Sequence, residues 1–169
     1  YFQKYPAEHA DKFAIVRRLT GGGLVYHVDD TTFTVVTPPG HALHQLKTND
    51  AYCAIHKAVS LALSCGSALL GAKPVAPGKA LPQYDCFQNP VAGDVVAGDQ
   101  KLAGGAQRRN RDGLLHQGSI AARVTDLPAS FRRQFDCEFT PYRLTGEEHA
   151  MITWLADGKY NSDAWNKRL

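Results

Sequence analysis

The segment from Lys101 to Ile120, KLAGGAQRRNRDGLLHQGSI, constrains the fold more than any other part of the chain. Two runs with strand character flank the pair Asp112-Gly113, and an Asp-Gly pair in that position is a strong hairpin signal. Together with the preceding DVV run and a turn at Gly98-Asp99, it predicts a three-stranded antiparallel meander. Gly104 and Gly105 lie inside one strand, where glycine loses backbone entropy and adds no packing. We therefore expect some group to approach the main chain closely there.

Apolar runs upstream of the meander predict further strands and one helix. AIVRR at Ala14–Arg18 reads as a strand, and LVYHV at Leu24–Val28 with FTVV at Phe33–Val36 reads as a hairpin. A helix is expected to begin near Thr48 or Asn49, because either side chain can cap it and apolar residues follow at helical spacing.

The downstream segment is predicted to be helical. Pro128 can start one helix, Thr145 and Glu148 form a capping-box pattern, and Ser162 can cap a last short helix. Residues Gly71–Pro90 read as a long loop rich in proline. Because the strands cluster before most of the helices, the pattern favours an α+β domain.

Composition bounds the class of protein. The 169 residues fit a single domain with one core. A net charge of +3, from 19 Lys and Arg against 16 Asp and Glu, is too small to indicate a nucleic-acid binder. No apolar run approaches the length of a membrane span. The chain begins YFQKY, so a signal peptide cannot be judged from it. The four cysteines form no CxxC pair and favour a reduced, cytoplasmic setting.

Two clusters of polar side chains have more than one interpretation. Arg108, Arg109 and Arg111 are either a solvated hairpin tip or a docking patch for an acidic partner. His41 and His44 suggest a metal ion, but no third ligand has convincing spacing, so no metal site is predicted.

A second glycine-rich stretch, RRLTGGGLVYH, spans Arg17 to His27. It lacks the GKS or GKT ending of a P-loop and does not match GxGxxG, so neither the P-loop nor the Rossmann interpretation is supported. By itself it is compatible with a hairpin or a bulge.

As a pair, RRLTGGGLVYH and KLAGGAQRRNRDGLLHQGSI resemble the lipoate-protein ligase and octanoyltransferase family, relatives of biotin protein ligase. In that family an RRxTGGG-type loop and a K-(I/L)-x-G-x-A-Q-R strand line one acyl-binding cleft. The resemblance covers most of the chain from Ala14 to Ile120. It implies an α+β fold of the biotin/lipoate protein ligase or class II synthetase type, with a mixed, largely antiparallel sheet packed against helices. Family members have a further strand and helix region before YFQ, so we expect this chain to be a fragment whose N-terminal part is missing.

The resemblance also implies a site and its partners. We expect the donor to be acyl carrier protein and the acceptor to be the lysine of a lipoyl domain or of a glycine cleavage H-type protein. No nucleic-acid or membrane partner is expected. The transferase needs no cofactor, whereas the ligase of this family needs ATP and Mg. The implied catalytic residues are Cys86 and Lys101. The implied substrate-binding residues are Arg18, Gly21, Gly22, Gly23, Tyr26, His27, Gly104, Gly105, Ala106, His116, Gly118 and Ser119.

A cysteine separates the two chemistries of the family. Octanoyltransferases carry the acyl group on a cysteine, and Cys86, in DCFQNP, stands upstream of Lys101 as in one branch of the family. Cys137, in FDCEF, lacks the Pro-Cys-Gly setting of the other branch. An ammonium group beside a thiol lowers the thiol pKa and so supplies the nucleophilic thiolate. Lys101 can do this for Cys86 and, as a neutral amine, can accept a proton later in the cycle. Main-chain N–H groups around Gly104 to Ala106, or at Gly118, are candidates for stabilising the oxyanion.

The leading prediction is thus a lipoyl-domain acyltransferase in protein lipoylation that works through a Cys86 thioester. The alternative is an ATP-dependent lipoate-protein ligase acting through a lipoyl-adenylate, which the full GGG of the loop favours slightly. A biotin ligase is a weaker alternative, because its biotin-loop motif is not matched. A binding paralogue without turnover is the non-enzymatic alternative.

Overall fold

The computed structural model describes residues 13–63, 68–69, 87 and 90–167. The chain divides into two compact units, one made of Tyr1–Leu19 with Thr140–Leu169 and a larger one made of Thr20–Phe139. The prediction of one catalytic domain over residues 1–169 stays a prediction.

The larger unit contains a five-stranded antiparallel sheet. Its strands, in spatial order, are β1 (Thr31–Thr37), β5 (Gly113–Ile120), β4 (Gln100–Asn110), β3 (Val95–Ala97) and β2 (Ala68–Leu69). The three consecutive strands β3, β4 and β5 are the predicted meander, which is confirmed with its turn at Asp112-Gly113. The predicted α+β class is confirmed as well.

Among the described residues of this unit there are three helices: α1 (Ala42–Gln45), α2 (Thr48–Leu63) and α3 (Leu127–Phe135). The predicted start of α2 is confirmed. Its residues Ala51, Ile55, Ala58 and Val59 are fully buried, and this i, i+4, i+7, i+8 spacing is one face of a helix. That face forms the core with apolar side chains of the sheet and of α3. These are Val95, Ala103, Leu114, Ile120 and Phe131.

The two faces of the sheet differ in character. Ala103 pairs with Ile120 and points into the core, so its neighbour Gly104, paired with Ser119, belongs to the opposite face. Ala106, paired with Gln117, lies on the same face as Gly104. We call this the polar face, because it carries the lysine site described below.

The predicted hairpin of Leu24–Val28 with Phe33–Val36 is wrong. Only the second run is a strand, and it pairs with β5, while the first run contributes a single bridge residue at Leu24. Two side-chain hydrogen bonds to β5 hold this loop instead of a strand ladder: the Thr20 hydroxyl donates to Gln117, and the Asp30 carboxylate accepts from Ser119.

The predicted strand at Ala14–Arg18 is also wrong, because side chains of the smaller unit take its main-chain groups. The Arg17 N–H donates to Asn166 Oδ1 at 2.9 Å, and the Trp165 indole donates to the Arg17 carbonyl at 2.9 Å. The helices of this unit are α4 (Gly146–Leu155) and α5 (Asp163–Asn166), with a π-helical turn at Ala156–Tyr160 between them. The predicted capping box of Thr145 with Glu148 and the Ser162 cap are both confirmed.

Arg109 fits neither interpretation of the arginine cluster. Its guanidinium donates to the carbonyl oxygens of Leu43, His44 and Leu46 at 2.5, 3.1 and 2.6 Å, and so it satisfies the end of α1. Arg111, by contrast, has a side chain that is 94% exposed. Among the described residues, no helix has both the length and the apolar character needed to cross a bilayer.

Candidate active site

Lys101 is a buried lysine paired with a buried aspartate. Its Nζ lies 2.8 Å from Asp94 Oδ2, with the side chains 6% and 0% exposed respectively. The Asp94 carboxylate also accepts from the Val91 N–H at 2.7 Å and from the Tyr52 hydroxyl at 2.6 Å. A buried ion pair is tolerated when further hydrogen bonds satisfy its oxygens, and these three donors do so. The ammonium is therefore held in one place rather than extended into solvent.

The lysine side chain lies directly over Gly104. A Cβ atom at residue 104 would stand 2.6 Å from Lys101 Nζ and closer still to Cε. A bulge in β4 contributes to this geometry, because Val95 opposes Ala103 and Val96 opposes Lys101, which leaves Leu102 without a partner on β3. The close approach expected at this glycine is thus made by the lysine of the protein itself.

Gly105 makes room for a different side chain. A Cβ atom there would lie 2.5 Å from His116 Nε2. His116 is fully buried on the core face of the sheet, and its ring centroid lies 5.6 Å from that of Phe33 and 5.5 Å from that of Tyr52. The structure therefore places His116 in the core, behind the polar face, and its predicted substrate-binding role stays a prediction.

The main-chain N–H groups of the glycine strand are already engaged. The Gly105 N–H donates to the Tyr52 hydroxyl at 2.8 Å. The bond from the Ala121 N–H to the Leu102 carbonyl fixes the alternation of the β4–β5 ladder, and this alternation directs the N–H groups of Gly104 and Ala106 to β5. The expected oxyanion role of these groups is thus not supported. The same alternation directs the N–H of Gly118 to Phe33 on β1.

The glycine loop is attached to the polar face at both of its ends. Thr20 Oγ1 donates to Gln117 Oε1 at 3.0 Å, and Ser119 Oγ donates to Asp30 Oδ2 at 2.7 Å. Gln117 and Ser119 are two positions apart on β5, so both point to the face that carries Gly104. Residues 20–30 are therefore held on the side of the sheet where Lys101 lies. Within this loop Gly21 and Gly22 are exposed, whereas Gly23 and Tyr26 are half-buried.

Asp30 also contacts a histidine of the same loop. His27 Nδ1 lies 2.6 Å from Asp30 Oδ2, and the His27 side chain is 54% exposed. Partial burial raises the pKa of Asp30, but hydrogen bonds from Ser119 and His27, together with the His27 charge, outweigh burial and lower it. Asp30 is thus a carboxylate that fastens His27 and Ser119 together.

Phe87, the described residue next to Cys86 in the sequence, contacts the lysine of the site. Cys86 lies outside the described residues, but Phe87, which follows it, has its ring centroid 5.5 Å from Lys101 Nζ. Cys137 is a half-buried free thiol just after α3. Arg18 belongs to the smaller unit. Within the described ranges, no three His, Cys, Asp or Glu side chains form a cluster suited to a metal ion.

Asp94 and Tyr52 are the site residues that the motifs missed. Asp94 directly precedes an apolar run and reads as a turn residue, and Tyr52 fits the apolar spacing of α2. The only available signal was an acidic residue close to the motif lysine with an intervening turn.

Comparisons with known proteins agree with this architecture. The family model described as the lipoyl protein ligase A/B catalytic domain matches residues 4–136. This chain belongs to that family. The lipoyl protein ligase A/B family is a family of enzymes, and its recognition from the two motifs is confirmed.

Individual relatives point the same way. Octanoyltransferase LipM of Bacillus cereus is 24% identical over 230 residues, covering 98% of this chain and 80% of the relative. Because this chain has 169 residues, the relative contains residues within the matched span that this chain lacks. Octanoyltransferase LipM of Moorella thermoacetica is 35% identical over 112 residues, 63% of this chain and 40% of the relative.

Solved structures confirm the predicted lipoate-ligase type of fold. A lipoate-protein ligase A bound with ATP superposes with a TM-score of 0.68 at 19% identity, covering 93% of this chain and 73% of that one. A bi-partite lipoate protein ligase from Thermoplasma acidophilum, solved in a study of that ligase and its E2 lipoyl domain, gives a TM-score of 0.60 at 18% identity, with 93% and 71% covered.

Proposed function

We propose that this member of the lipoyl protein ligase A/B family is an acyltransferase. It moves an octanoyl or lipoyl group from acyl carrier protein to the acceptor lysine of a lipoyl domain or an H-type protein, through a thioester on Cys86. The relatives named octanoyltransferase support the acyl group. The T. acidophilum ligase, which was studied together with its E2 lipoyl domain, supports the acceptor.

One observation carries this proposal, and it is the contact between Phe87 and Lys101. The ring of Phe87 lies 5.5 Å from the ammonium that Asp94 holds on the polar face. A peptide bond keeps the Cα atoms of consecutive residues about 3.8 Å apart. The residue that follows Cys86 in the sequence thus contacts Lys101, and this supports the choice of Cys86 as the nucleophile.

The first half of the reaction forms the thioester. The Cys86 thiolate attacks the carbonyl carbon of the acyl-carrier thioester, a C–S bond to Cys86 forms, and the carrier thiolate leaves and takes up a proton. Negative charge develops on the carbonyl oxygen in the tetrahedral state. An ammonium fixed in a buried site stabilises such a charge without reorganisation. Since the glycine-strand N–H groups are engaged, we assign this role to Lys101.

The second half regenerates the thiol. The acceptor lysine, as a neutral amine, attacks the thioester carbon, an amide C–N bond forms, and the Cys86 thiolate leaves. The proton that the amine loses passes to solvent or to the departing thiolate. The 2.8 Å ion pair with Asp94 favours Lys101 as a hydrogen-bond donor throughout and not as the neutral base that the sequence suggested.

The test is an intact-mass experiment on the full chain. Incubation with octanoyl-acyl carrier protein without ATP is expected to give a single octanoyl adduct that hydroxylamine removes. Cys86→Ala should abolish the adduct. The matched control, Cys137→Ala, should retain it, and an adduct that depends on Cys137 would contradict the assignment.

A lipoate-protein ligase remains the second candidate, favoured by the triple glycine of residues 21–23 and by the fold of the ATP-bound ligase. That enzyme would require ATP and Mg. It predicts no adduct from the acyl carrier and modification of a lipoyl domain only when lipoate, ATP and Mg are all supplied. Modification under neither condition would identify a binding paralogue without turnover.

A further inference from the structure

The Tyr52 hydroxyl connects three parts of the larger unit. It lies 2.6 Å from Asp94 Oδ1, 2.8 Å from the Gly105 nitrogen and 3.3 Å from the Gly105 carbonyl oxygen. A phenol has one proton to donate, and the shorter, charge-assisted bond to the carboxylate takes it. The same oxygen accepts the Gly105 N–H. Tyr52 on α2 therefore donates to Asp94, which directly precedes β3, and accepts from Gly105 on β4.

This hydroxyl stands where β3 and β4 separate. The ladder between them runs from Val95 opposite Ala103 to Ala97 opposite Gln100, so Gly105 lies beyond its end. A sheet edge leaves N–H groups that need other partners. Within the described part of the chain, the Tyr52 oxygen supplies that partner for Gly105.

The carboxylate of Asp94 is oriented by the same contact. Its Oδ1 receives the Tyr52 hydroxyl, while its Oδ2 receives Lys101 Nζ and the Val91 N–H. With Oδ1 fixed, rotation of the carboxylate away from the lysine would break the bond to Tyr52. The ammonium therefore lies against an anchored acceptor, and Gly104 beneath it leaves the space that the lysine chain occupies.

We propose that Tyr52 is a positioning residue for Lys101. Acting through Asp94, its hydroxyl fixes the ammonium over Gly104 at the place where the reacting carbonyl is bound. This inference rests on the proposed acyl transfer for its effect on rate, but its effect on Lys101 is independent of the reaction.

Tyr52→Phe tests the hydroxyl while keeping the ring, which packs 4.0 Å from the His56 ring centroid. The kcat for acyl transfer is expected to fall on the order of tenfold, with KM for the acyl carrier within about twofold, because the lost contact acts on the reacting centre and not on donor binding. The matched control is Tyr142→Phe in the smaller unit. It removes a tyrosine hydroxyl that is also bonded to a carboxylate, that of Glu148, and should leave both constants unchanged.

A second readout does not depend on activity. The acetylation rate of Lys101 by an acetyl N-hydroxysuccinimide ester, measured by peptide mass with exposed Lys57 as internal reference, should rise several-fold in Tyr52→Phe and not in Tyr142→Phe. Unchanged kcat together with unchanged Lys101 labelling would overturn the proposal. Faster labelling in a protein whose wild type transfers no acyl group would leave the positioning role standing and reject the proposed function.

If Tyr52→Phe does not fold, the wild-type protein still decides the question through amide hydrogen exchange at Gly105. Slow exchange is expected, because the Tyr52 oxygen accepts this N–H beyond the end of the strand ladder. Exchange as fast as that of an open sheet edge would overturn the proposal.

Discussion

Replacing Asp94 by Asn tests how much the buried ion pair with Lys101 contributes to the stability of the fold. The carboxylate is fully buried and the lysine side chain is 6% exposed, so Asp94→Asn leaves an ammonium inside the protein without its anion. Removing one partner of a buried pair costs about 3 to 5 kcal/mol. The new Asn amide also carries an NH₂ group in place of one carboxylate oxygen. This NH₂ group would face at least one of the donors Lys101, Tyr52 and Val91, which adds to the loss of stability.

The double variant Asp94→Asn with Lys101→Met separates charge from packing. Lys101→Met keeps most of the aliphatic chain over Gly104 and removes the ammonium, so in the double variant no unpaired charge is buried. We expect the double variant to be more stable than the sum of the single changes predicts, by about 2 to 3 kcal/mol. Urea unfolding gives these free energies. Both tryptophans, Trp154 and Trp165, belong to the smaller unit, so circular dichroism is the better probe of the sheet.

If the stability losses of Asp94→Asn and Lys101→Met simply add in the double variant, the reasoning is refuted. Additivity would mean that the lysine and the aspartate do not interact in solution. The m-value must also stay constant across the four proteins, because a changed m-value reports a change in the unfolded or native ensemble instead of a lost contact.

Three further outcomes follow from the same geometry. Gly104→Ala should reduce acyl transfer strongly, because its Cβ would stand where the Lys101 end held by Asp94 lies, and Gly118→Ala, whose Cβ would collide with the Phe33 ring, should cost about 1 to 3 kcal/mol of stability. Wild-type transfer by Gly104→Ala, or an unchanged unfolding midpoint for Gly118→Ala, would be evidence against this packing. Burial lowers the pKa of His56 to about 4 from 6.5, so the unfolded chain binds this proton first and stability should fall by about 3 kcal/mol between pH 7 and pH 4. In His56→Gln, the unfolding free energy measured against pH should no longer show this loss. An unchanged pH dependence would contradict the assignment of the loss to His56.

The sequence predicted those parts of the fold whose signals are local. An Asp-Gly turn between strand-like runs defines the β4–β5 hairpin, and the Thr145 to Glu148 spacing defines a capping box, because each depends on residues close in the chain. Strand pairing failed for Leu24–Val28 and Ala14–Arg18. A short apolar run does not identify its partner. Side chains distant in sequence bond the main chain of Arg17, and the loop that contains Leu24–Val28 is held through the side chains of Thr20 and Asp30.

Site prediction had a similar limit. Lys101 was identified through its motif, but its partner Asp94 and the hydroxyl of Tyr52 become functional only when α2 and the β3–β4 junction are brought together. Arg109 shows a different error. The sequence analysis placed it in a basic surface cluster, whereas its guanidinium donates to carbonyl oxygens at the end of α1. Roles that depend on tertiary contacts were not predictable from spacing.

The most direct test of acyl transfer by a lysine held in this way is the octanoylation of a purified lipoyl domain. With octanoyl-acyl carrier protein as donor and no ATP present, the wild-type chain should modify the acceptor lysine, and Lys101→Met should be slower by about a hundredfold or more. A Lys101→Met protein that transfers at the wild-type rate, or a wild type that modifies the domain only with lipoate and ATP, would contradict the account.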